Sequence, residues 1–408
     1  MRVLFCSRRF FPAISGMSVY AANLLRELVA AGHEVTMVSQ YRGDAAGTRI
    51  YGGGPPPDVA GVTVLGRRSL GEEVTPADFE RDVADMLDTI LAEHARAPFD
   101  ILHAQYGYPN GWAVLLAAQQ LGIPAVVSIQ GGDGHWVGSC CETHRQAMLR
   151  VIENADALLI GCESFAAEVV ERLGVARERF TIVPGAVDVA RFCPALRPSA
   201  VASPPRLLYH GRVDRRKGVL DFLAALRLLS DDGVAFTAVV SGIGPDHDAA
   251  QALASELGLD VRFTGHAAYE DAPAVYAMGD IFVSPTYAEG FSNTILEAMA
   301  SGLPCVSCYA VGVMDCLRDG ENGLLVQPGD VPAQAAALRR LIDDAGLRRR
   351  LADAALEECR RTYSWSAVGL QIMNIYDRLH GTAPRAAGLG TTLPHDDDCR
   401  FRAAPHLL

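Results

Sequence analysis

The sequence predicts an α/β protein of two doubly wound domains, each built on a parallel sheet. Short apolar segments alternate with amphipathic helical segments in two successive series, which is the pattern of repeated βαβ units. Residues 191–205 separate the two series. They contain several Pro, Ala and Ser residues without periodicity, so we interpret them as a linker. A chain of 408 residues that is 50% hydrophobic is long enough for two large cores.

The composition and charge of the chain indicate which partners it does not bind and which cellular compartment we expect for it. A formal net charge of −12 argues against a broad nucleic-acid-binding surface. No apolar run reaches the length of a membrane span, and the opening MRVLFCSRRFF begins as a strand rather than as a signal peptide. The 10 cysteines show no repeated disulfide spacing. We therefore expect reduced thiols and a cytoplasmic protein.

The first series occupies residues 1–190. It opens with a strand at 2–6, a loop at 7–17, a helix at 19–31 and a strand at 33–39. The loop lacks the GxGxxG fingerprint of dinucleotide sites, and we expect Gly16 to let the backbone approach a ligand closely. Arg8 and Arg9 are interpreted as solvated, with an anionic acceptor as the alternative. Further strands are predicted at residues 62–65, 99–104, 124–129, 157–160 and 180–183.

The second series occupies residues 206–364. Strands are predicted at residues 206–211, 236–241, 261–264, 280–284, 304–308 and 323–326, with helices between them. An amphipathic helix at 365–380 follows, and we expect it to pack back across both domains. Residues 381–408 show no structural pattern, so we predict a disordered tail in which HDDDC is solvated charge.

Two glutamates mark the stretch from Ser284 to Gly302, which reads SPTYAEGFSNTILEAMASG. Glu289 falls on a glycine-containing turn after a buried strand, and Glu297 lies just past the first turn of the next helix. Ser292 is predicted to cap that helix through its hydroxyl. Free amides at a helix N-terminus favour an anion, and two adjacent carboxylates suit a ligand that also carries hydroxyls. We interpret the stretch as a sugar-nucleotide site; the alternative is a doubly wound sheet with solvated glutamates.

A basic turn, GRVDRRKG at residues 211–218, follows the first strand of the second series. Arg212 and Lys217 flank this turn at the carboxyl end of the strand, where open α/β sheets bind ligands. Lys217 is the single lysine among 36 Lys+Arg residues. Because Lys and Arg are not interchangeable at a tight phosphate site, we favour a specific role over a surface lysine that survives by chance. The two cations suit a diphosphate. No metal-binding Asp-x-Asp pair stands near these cations or the two glutamates, so we expect neither a metal nor another cofactor.

A glycine-rich segment, residues 130–135, follows a strand of the first series at the edge expected to face the ligand. Cys140, Cys141 and His144 come soon after it, and His135 precedes them. A zinc site needs four ligands at recognisable spacing, and adjacent cysteines rarely bind one ion together. We therefore favour structural or redox thiols there over a metal site.

The order and spacing of these motifs resemble those of family 4 glycosyltransferases over residues 1–376. GRVDRRKG resembles the basic motif of that family, and EGFSNTILEAMASGLPCV resembles its motif of two glutamates separated by seven residues. GHEV, DGENGLLV and VPGAVDVARF resemble three further motifs, the last with Gly185 and Ala186 where Asn-Gly is usual. The resemblance implies the GT-B fold: two facing Rossmann-like domains with an interdomain cleft. Residues 1–190 would bind the acceptor and residues 206–364 the nucleotide sugar.

The resemblance also implies roles for single residues. Arg212 and Lys217 would hold the donor diphosphate. Glu289 would contact donor-sugar hydroxyls beside the anomeric carbon, and Glu297 would bind the ribose. Gly16 would lie near the diphosphate across the cleft. The other substrate-binding residues implied are Gly211, Phe291, Ser292, Asn293, His103, Asp133 and His135.

Two departures from the family pattern fall in the first series. Met17 stands where a second glycine is common, and Gln130 stands where many members carry a histidine. His103, Asp133 and His135 are the candidates to replace that histidine.

The implied reaction is sugar transfer with retention of configuration, in polysaccharide or glycoconjugate biosynthesis. The acceptor hydroxyl attacks on the face that the diphosphate leaves, and the leaving phosphate takes the proton. The expected partners are a nucleoside-diphosphate sugar and a saccharide, lipid-linked or small-molecule acceptor, without nucleic acid. A lipid-linked acceptor would bring the protein to the inner face of the membrane. The alternatives are a nucleotide-sugar epimerase on the same fold and a non-catalytic nucleotide-sugar-binding protein.

Overall fold

The structure is a computed structural model that describes residues 1–131, 138–197, 201–393 and 399–405. It divides into two compact units. The first comprises Met1–Pro184 together with Val368–Leu408, and the second comprises Gly185–Ala367. Each unit contains one parallel sheet with helices packed on it, so the predicted α/β class is confirmed.

The first unit contains a seven-stranded parallel sheet. Its strands are β1 (Arg2–Ser7), β2 (Glu34–Tyr41), β3 (Val62–Arg68), β4 (Ile101–Gln105), β5 (Ala125–Ile129), β6 (Ala157–Ile160) and β7 (Phe180–Ile182). The strand order is β3-β2-β1-β4-β5-β6-β7. Every residue of β4 and β5 is buried, as expected for parallel strands covered by helices on both faces.

Seven helices of the first unit connect these strands. They are α1 (Gly16–Ala30), α2 (Ala45–Tyr51), α3 (Phe79–Arg96), α4 (Trp112–Leu121), α5 (Gly138–Cys140), α6 (Glu142–Asn154) and α7 (Glu163–Leu173). Helix α1 begins at Gly16, earlier than predicted, because Ser15 and Ser18 form a capping box.

The second unit contains a six-stranded parallel sheet of order β10-β9-β8-β11-β12-β13. The strands are β8 (Arg206–His210), β9 (Thr237–Ser241), β10 (Val261–Gly265), β11 (Ile281–Ser284), β12 (Cys305–Cys308) and β13 (Leu324–Val326). The helices are α8 (Val219–Asp231), α9 (His247–Glu256), α10 (Ala272–Tyr276), α11 (Asn293–Ala300), α12 (Val331–Asp343) and α13 (Ala345–Thr362). One continuous hydrophobic core joins these elements.

In both sheets the chain reverses its direction of winding beside the first strand. The switch lies between β1 and β4 in the first unit and between β8 and β11 in the second. Ligands of open α/β sheets bind outside the carboxyl ends of the strands at such a point. The fold therefore directs attention to the loops that follow these four strands.

Helix α14 (Trp365–Leu379) carries the chain from the second unit back to the first, because the boundary between the units falls at Val368. No helix within the described ranges combines the length and apolar character needed to cross a bilayer.

The C-terminal segment packs on the first unit where it is described, contrary to the predicted disorder. The Arg385 amide donates to Asp156 Oδ1 at 2.7 Å, and Gln119 and Leu389 exchange two hydrogen bonds. A short helix, α15 (Arg400–Ala403), follows the buried Cys399. The apolar residues of this segment are too isolated to form a periodic pattern, which explains the wrong prediction. Of HDDDC, only the final cysteine lies among the described residues.

Candidate functional site

The two motifs singled out in the sequence meet at the switch point of the second unit. The basic turn follows β8, and the stretch with the two glutamates follows β11. Strands β8 and β11 pair in parallel, with Leu207 opposite Ile281 and Leu208 opposite Phe282. Their carboxyl ends therefore lie side by side, and so do the loops that leave them.

An ion pair joins the two motifs directly. The Nζ atom of Lys217 lies 2.7 Å from Oε1 of Glu289 and donates to the carbonyl oxygen of Ala288 at 3.0 Å. The Lys217 and Glu289 side chains are 31% and 18% exposed, so both remain accessible to a ligand. The single lysine of the chain thus lies where the sequence analysis placed it.

The basic turn is held in shape by its own side chains. Asp214 accepts from the Arg216 amide at 2.9 Å and caps a 3-10 turn over Arg215–Lys217. Tyr209 donates its hydroxyl to the Arg212 carbonyl at 2.7 Å. The Arg212 side chain is 38% exposed, with Nε 3.6 Å from Asp214 Oδ2. A fixed backbone with a partly exposed guanidinium is suited to an anionic ligand.

Helix α11 begins at this site without a side-chain cap. Ser292 occupies the N-cap position as predicted, but its hydroxyl makes no capping bond; its Oγ lies 3.3 Å from Oγ1 of Thr294. By contrast, Ser15 caps α1 through its side chain. An N-terminus that lacks a side-chain cap leaves its first amides for another acceptor, and an anion suits them best.

Two glycines that the motifs do not include allow the loops to pack closely. Gly242, at φ +132°, follows β9, and a Cβ atom there would lie 1.8 Å from the carbonyl oxygen of Gly211. A Cβ atom at Gly312, at φ +74°, would lie 2.3 Å from the carbonyl oxygen of Glu289. Only glycine fits at either position. Gly242 could have been found in the sequence, because it directly follows a predicted strand. No local sequence signal marks Gly312.

Glu297 lies deeper than Glu289 and is half-buried. Its Oε2 accepts from the Tyr276 hydroxyl at 2.7 Å. Burial raises the pKa of Glu297 to about 7, although the Tyr276 hydrogen bond and the charge of Arg191 act in the opposite direction. Tyr276 was missed in the sequence because it lies on α10, outside both motifs.

Phe291 precedes the N-cap of α11, and Asn293 is the first residue of that helix. The Phe291 side chain packs against other residues of the second unit. Its ring centre lies 5.6 Å from that of Tyr363, and it packs against the core of the second unit. A Cβ atom at Gly185 would lie 2.6 Å from the Phe291 ring. Gly185, the first residue of the second unit, therefore packs against Phe291.

One Asp-x-Asp sequence, Asp246-His247-Asp248, does contact the basic turn, contrary to the expectation that none stands near it. Asp246 accepts from Nε and Nη2 of Arg215 at 3.0 and 2.7 Å and from the Arg215 amide at 2.7 Å. The Asp248 side chain is fully exposed. Asp246 therefore fixes the turn through Arg215.

The candidates of the first unit have mixed outcomes. Gly16 is exposed and forms the first residue of α1. His103 is fully buried, with Nδ1 2.5 Å from the Tyr376 hydroxyl and Nε2 2.7 Å from Ser128 Oγ. Both ring nitrogens are engaged, and burial lowers the pKa of His103 to about 3, so the structure does not support a substrate contact by this residue. Asp133 and His135 lie outside the described residues.

The arginines after β1 are buried, which corrects their interpretation as solvated. Arg8 is 1% exposed and donates through Nε and Nη2 to Glu72 Oε1 at 3.0 and 2.8 Å. Arg9 and Arg42 approach Glu72 Oε2 at 3.5 and 3.3 Å. Burial alone would raise the pKa of Glu72, but the three guanidinium groups lower it. These arginines have a structural role, because the planar guanidinium group presents its N–H donors in a fixed geometry that can satisfy a buried carboxylate.

Comparisons with known proteins agree with this geometry. The family model described as "Glycosyl transferase 4-like domain" matches residues 15–186, and "Glycosyl transferases group 1" matches residues 204–344. Glycogen synthase of Mycobacterium tuberculosis is 27% identical over 92% of this chain and 94% of its own. Sucrose-phosphate synthase from Thermosynechococcus elongatus aligns with a TM-score of 0.77 and 23% identity, over 93% of this chain and 98% of its own. Anabaena Alr3699/HepE in complex with UDP aligns with a TM-score of 0.71 and 18% identity, over 93% and 100%.

Two parallel-sheet units of this kind, with a basic turn and two glutamates at one switch point, define a glycosyltransferase of the GT-B fold that uses a nucleotide sugar. The sugar is transferred in the biosynthesis of a saccharide or glycoconjugate. The chain belongs to the family 4 glycosyltransferases.

Proposed function

We propose that the chain is a retaining, metal-independent glycosyltransferase whose donor site lies at the switch point of the second unit. The observation that carries this proposal is the Lys217–Glu289 ion pair of 2.7 Å beside the uncapped start of α11. In this proposal the donor diphosphate binds the ammonium group of Lys217, and the hydroxyls of the donor sugar bind the carboxylate of Glu289.

Each neighbouring group has a role in this proposal. Arg212 and Lys217 bind the diphosphate, and the amides at the start of α11 add fixed dipoles that need no reorganisation as charge develops. Glu289 orients the donor sugar through its hydroxyls, and Glu297 binds the ribose. The backbone of Gly211, Phe291, Ser292 and Asn293 completes the site.

The chemical step requires no dedicated base from the protein. The acceptor hydroxyl forms the new bond to the anomeric carbon on the face from which the diphosphate leaves. Its proton passes to the departing phosphate oxygen, so both charge and protons balance within the two substrates. In this proposal Arg212 and Lys217 supply the positive charge that stabilises the leaving group, so we propose turnover without a divalent ion there. The acceptor is a saccharide, a lipid-linked saccharide or a small molecule. The lipid-linked case places a cytoplasmic protein at the membrane surface.

Ligand binding tests the donor site. UDP, GDP and ADP are added at millimolar concentration to the wild type, Lys217→Ala and Arg349→Ala, and the melting temperature is measured. A ligand that binds only the folded state raises this temperature by mass action. We expect one diphosphate to stabilise the wild type and Arg349→Ala, because Arg349 is an exposed residue of α13 outside both motifs, and to lose its effect in Lys217→Ala. Equal shifts in all three proteins would refute the assigned role of Lys217. No shift in any of them would favour a protein without a donor site.

Turnover measurements test the two remaining parts of the proposal, which are retention of configuration at the anomeric carbon and turnover without a divalent metal ion. With the matching α-linked donor we expect an α-linked product by NMR, and equal rates with and without added Mg²⁺ or Mn²⁺. An inverted product contradicts retention, and a rate that depends on Mg²⁺ contradicts the proposed metal independence. Conversion of the donor sugar without any acceptor would instead support the epimerase.

A further inference from the structure

Three cysteines and a histidine come together in the first unit. They are distant in sequence from the basic turn and from the stretch with the two glutamates. Cys140 ends α5, Cys141 and His144 lie at the start of α6, and Cys399 precedes α15. Their ligand atoms all lie within 4.8 Å of one another. The first three were considered together in the sequence, where His135 was the fourth candidate; the structure brings Cys399 to them instead.

We propose that Cys140, Cys141, His144 and Cys399 form a structural zinc site. The Sγ atoms of Cys140 and Cys141 are 3.8 Å apart, and those of Cys140 and Cys399 are 3.9 Å apart. His144 Nδ1 lies 3.0 Å from Cys141 Sγ and 3.3 Å from Cys399 Sγ. With Zn–S bonds of about 2.3 Å and a Zn–N bond of about 2.0 Å, a tetrahedron has S–S edges of about 3.8 Å and S–N edges of about 3.5 Å. The two S–S separations match these edges, the two S–N separations are about 0.5 and 0.2 Å shorter than the ideal edge, and all pairs lie within 4.8 Å. Small side-chain adjustments would bring the four atoms around one ion.

The adjacent cysteines reach one point because the backbone turns between them. Cys141 has φ −166° and ψ 168°, an extended conformation between the last residue of α5 and the first of α6. Adjacent cysteines within a helix or strand would direct their sulfur atoms apart. The local break between the two helices removes the objection that the sequence raised against a metal.

The surroundings favour a closed structural site over a catalytic one. His144 and Cys399 are buried, while Cys140 and Cys141 are half-buried. The rings of Phe79, Tyr108 and Phe401 lie around the imidazole of His144 at 5.5, 4.9 and 6.1 Å between centres. Four protein ligands fill a tetrahedral shell and leave no position for water or substrate. Three thiolates and one imidazole are the soft ligands that favour zinc over magnesium or calcium.

Within the described residues, His144 Nε2 is buried and has no hydrogen-bond partner. The zinc-bound tautomer has Nδ1 free of a proton and the proton on Nε2, which fits the observation that Nδ1 is the nitrogen facing the sulfur atoms. The ion would fasten the C-terminal segment to the chain just after β5, across 255 residues of sequence between His144 and Cys399.

Metal analysis of the full-length chain tests the site. The protein is prepared without a metal-affinity tag, stripped with a chelator and titrated with zinc sulfate alone. We expect about one tightly bound zinc ion per chain in the wild type. The matched variants are Cys399→Ser, which removes a ligand, and Cys193→Ser, which changes a half-buried cysteine of the second unit. Zinc should be lost in the first and retained in the second. Retention of zinc by folded Cys399→Ser would overturn the proposal.

Alkylation of the wild type provides a test that does not depend on the folding of a variant. We expect the half-buried Cys140 and Cys141 to resist iodoacetamide when zinc is bound and to react after the metal is removed, with Cys193 reacting equally in both states. Equal reactivity of Cys140 and Cys141 in both states would refute the site. So would a disulfide-linked peptide that joins two of Cys140, Cys141 and Cys399.

Discussion

Glu297 is a half-buried carboxylate of the proposed donor site. Its Oε2 accepts a hydrogen bond from the Tyr276 hydroxyl. The burial that raises its pKa to about 7 has a consequence for the whole fold, because a pKa that differs between the folded and unfolded chains makes stability depend on pH.

We expect Glu297→Gln to reduce the loss of stability between pH 5 and pH 8. The pKa of Glu297 is raised from 4.5 to about 7 on folding, so the folded chain binds the proton more tightly. The stabilisation is complete below about pH 4.5 and is lost as the pH rises through 7. Glutamine cannot ionise, so the free energy of unfolding of the variant should rise relative to the wild type by on the order of 1–3 kcal/mol over this range.

Denaturant unfolding at a series of pH values measures this difference. The exposed Glu270→Gln provides the control, since it makes the same chemical change on the surface of the same unit. A difference between wild type and Glu297→Gln that stays constant with pH would show that Glu297 is not protonated on folding.

At the scale of single elements, α1 and α11 offer a direct comparison of two helix starts. Both follow the carboxyl end of a strand at a switch point, and both have serine at the N-cap. Ser15 makes a capping box, whereas Ser292 makes no side-chain capping bond. The difference indicates that α1 is stabilised by its own sequence and that α11 leaves its first amides for a ligand.

We expect Ser15→Ala to lower the free energy of unfolding by about 1 kcal/mol, because it removes a hydrogen bond to a first-turn amide. Ser292→Ala should lower it by less than half as much, since no such bond exists there. Chemical denaturation of the two variants side by side checks the contrast. Equal losses would mean that Ser292 caps α11 in solution and that the uncapped start is not preserved for a ligand.

The sequence predicts elements well where the pattern is local. The turn after β11, the basic turn after β8 and the N-cap at Ser292 follow from periodicity and turn chemistry within about ten residues. Tyr276 was missed because it reaches Glu297 from another helix, 21 positions away in sequence. Gly312 was missed because the carbonyl that crowds it belongs to Glu289, in a loop whose path only the fold determines.

At the scale of the whole molecule, the two-unit architecture was predictable because each βα repeat has a local sequence pattern that can be recognised on its own. The packing of the C-terminal segment was not predictable, since its contacts join residues far apart in the chain. Arg402 lies 322 positions from Glu80, with which it forms two hydrogen bonds, and such pairs carry no pattern in sequence. The contact between Cys399 and Cys140 could not be predicted for the same reason, since the two residues are 259 positions apart in sequence.

Removal of residues 381–408 should destabilise the first unit and leave the donor site intact. The segment buries Cys399, Phe401 and Arg402. The Arg402 guanidinium carbon lies 5.4 Å from the centre of the Phe79 ring. Loss of the segment would therefore expose apolar surface around Phe79. We expect a melting temperature several degrees lower for the chain 1–380. The affinity for the nucleoside diphosphate should stay unchanged, because the residues that would bind it belong to the second unit.

The variant Arg402→Ala separates this packing from the proposed metal, because it retains Cys399. It removes two hydrogen bonds to Glu80 and one to the Ala77 carbonyl. It should therefore lower the melting temperature in the same direction as the truncation, with zinc content unchanged. If the truncated chain melts at the temperature of the full-length protein, the segment does not pack as the structure shows. If Arg402→Ala has no effect while the truncation does, the destabilisation comes from Cys399 and the metal rather than from the packing of α15.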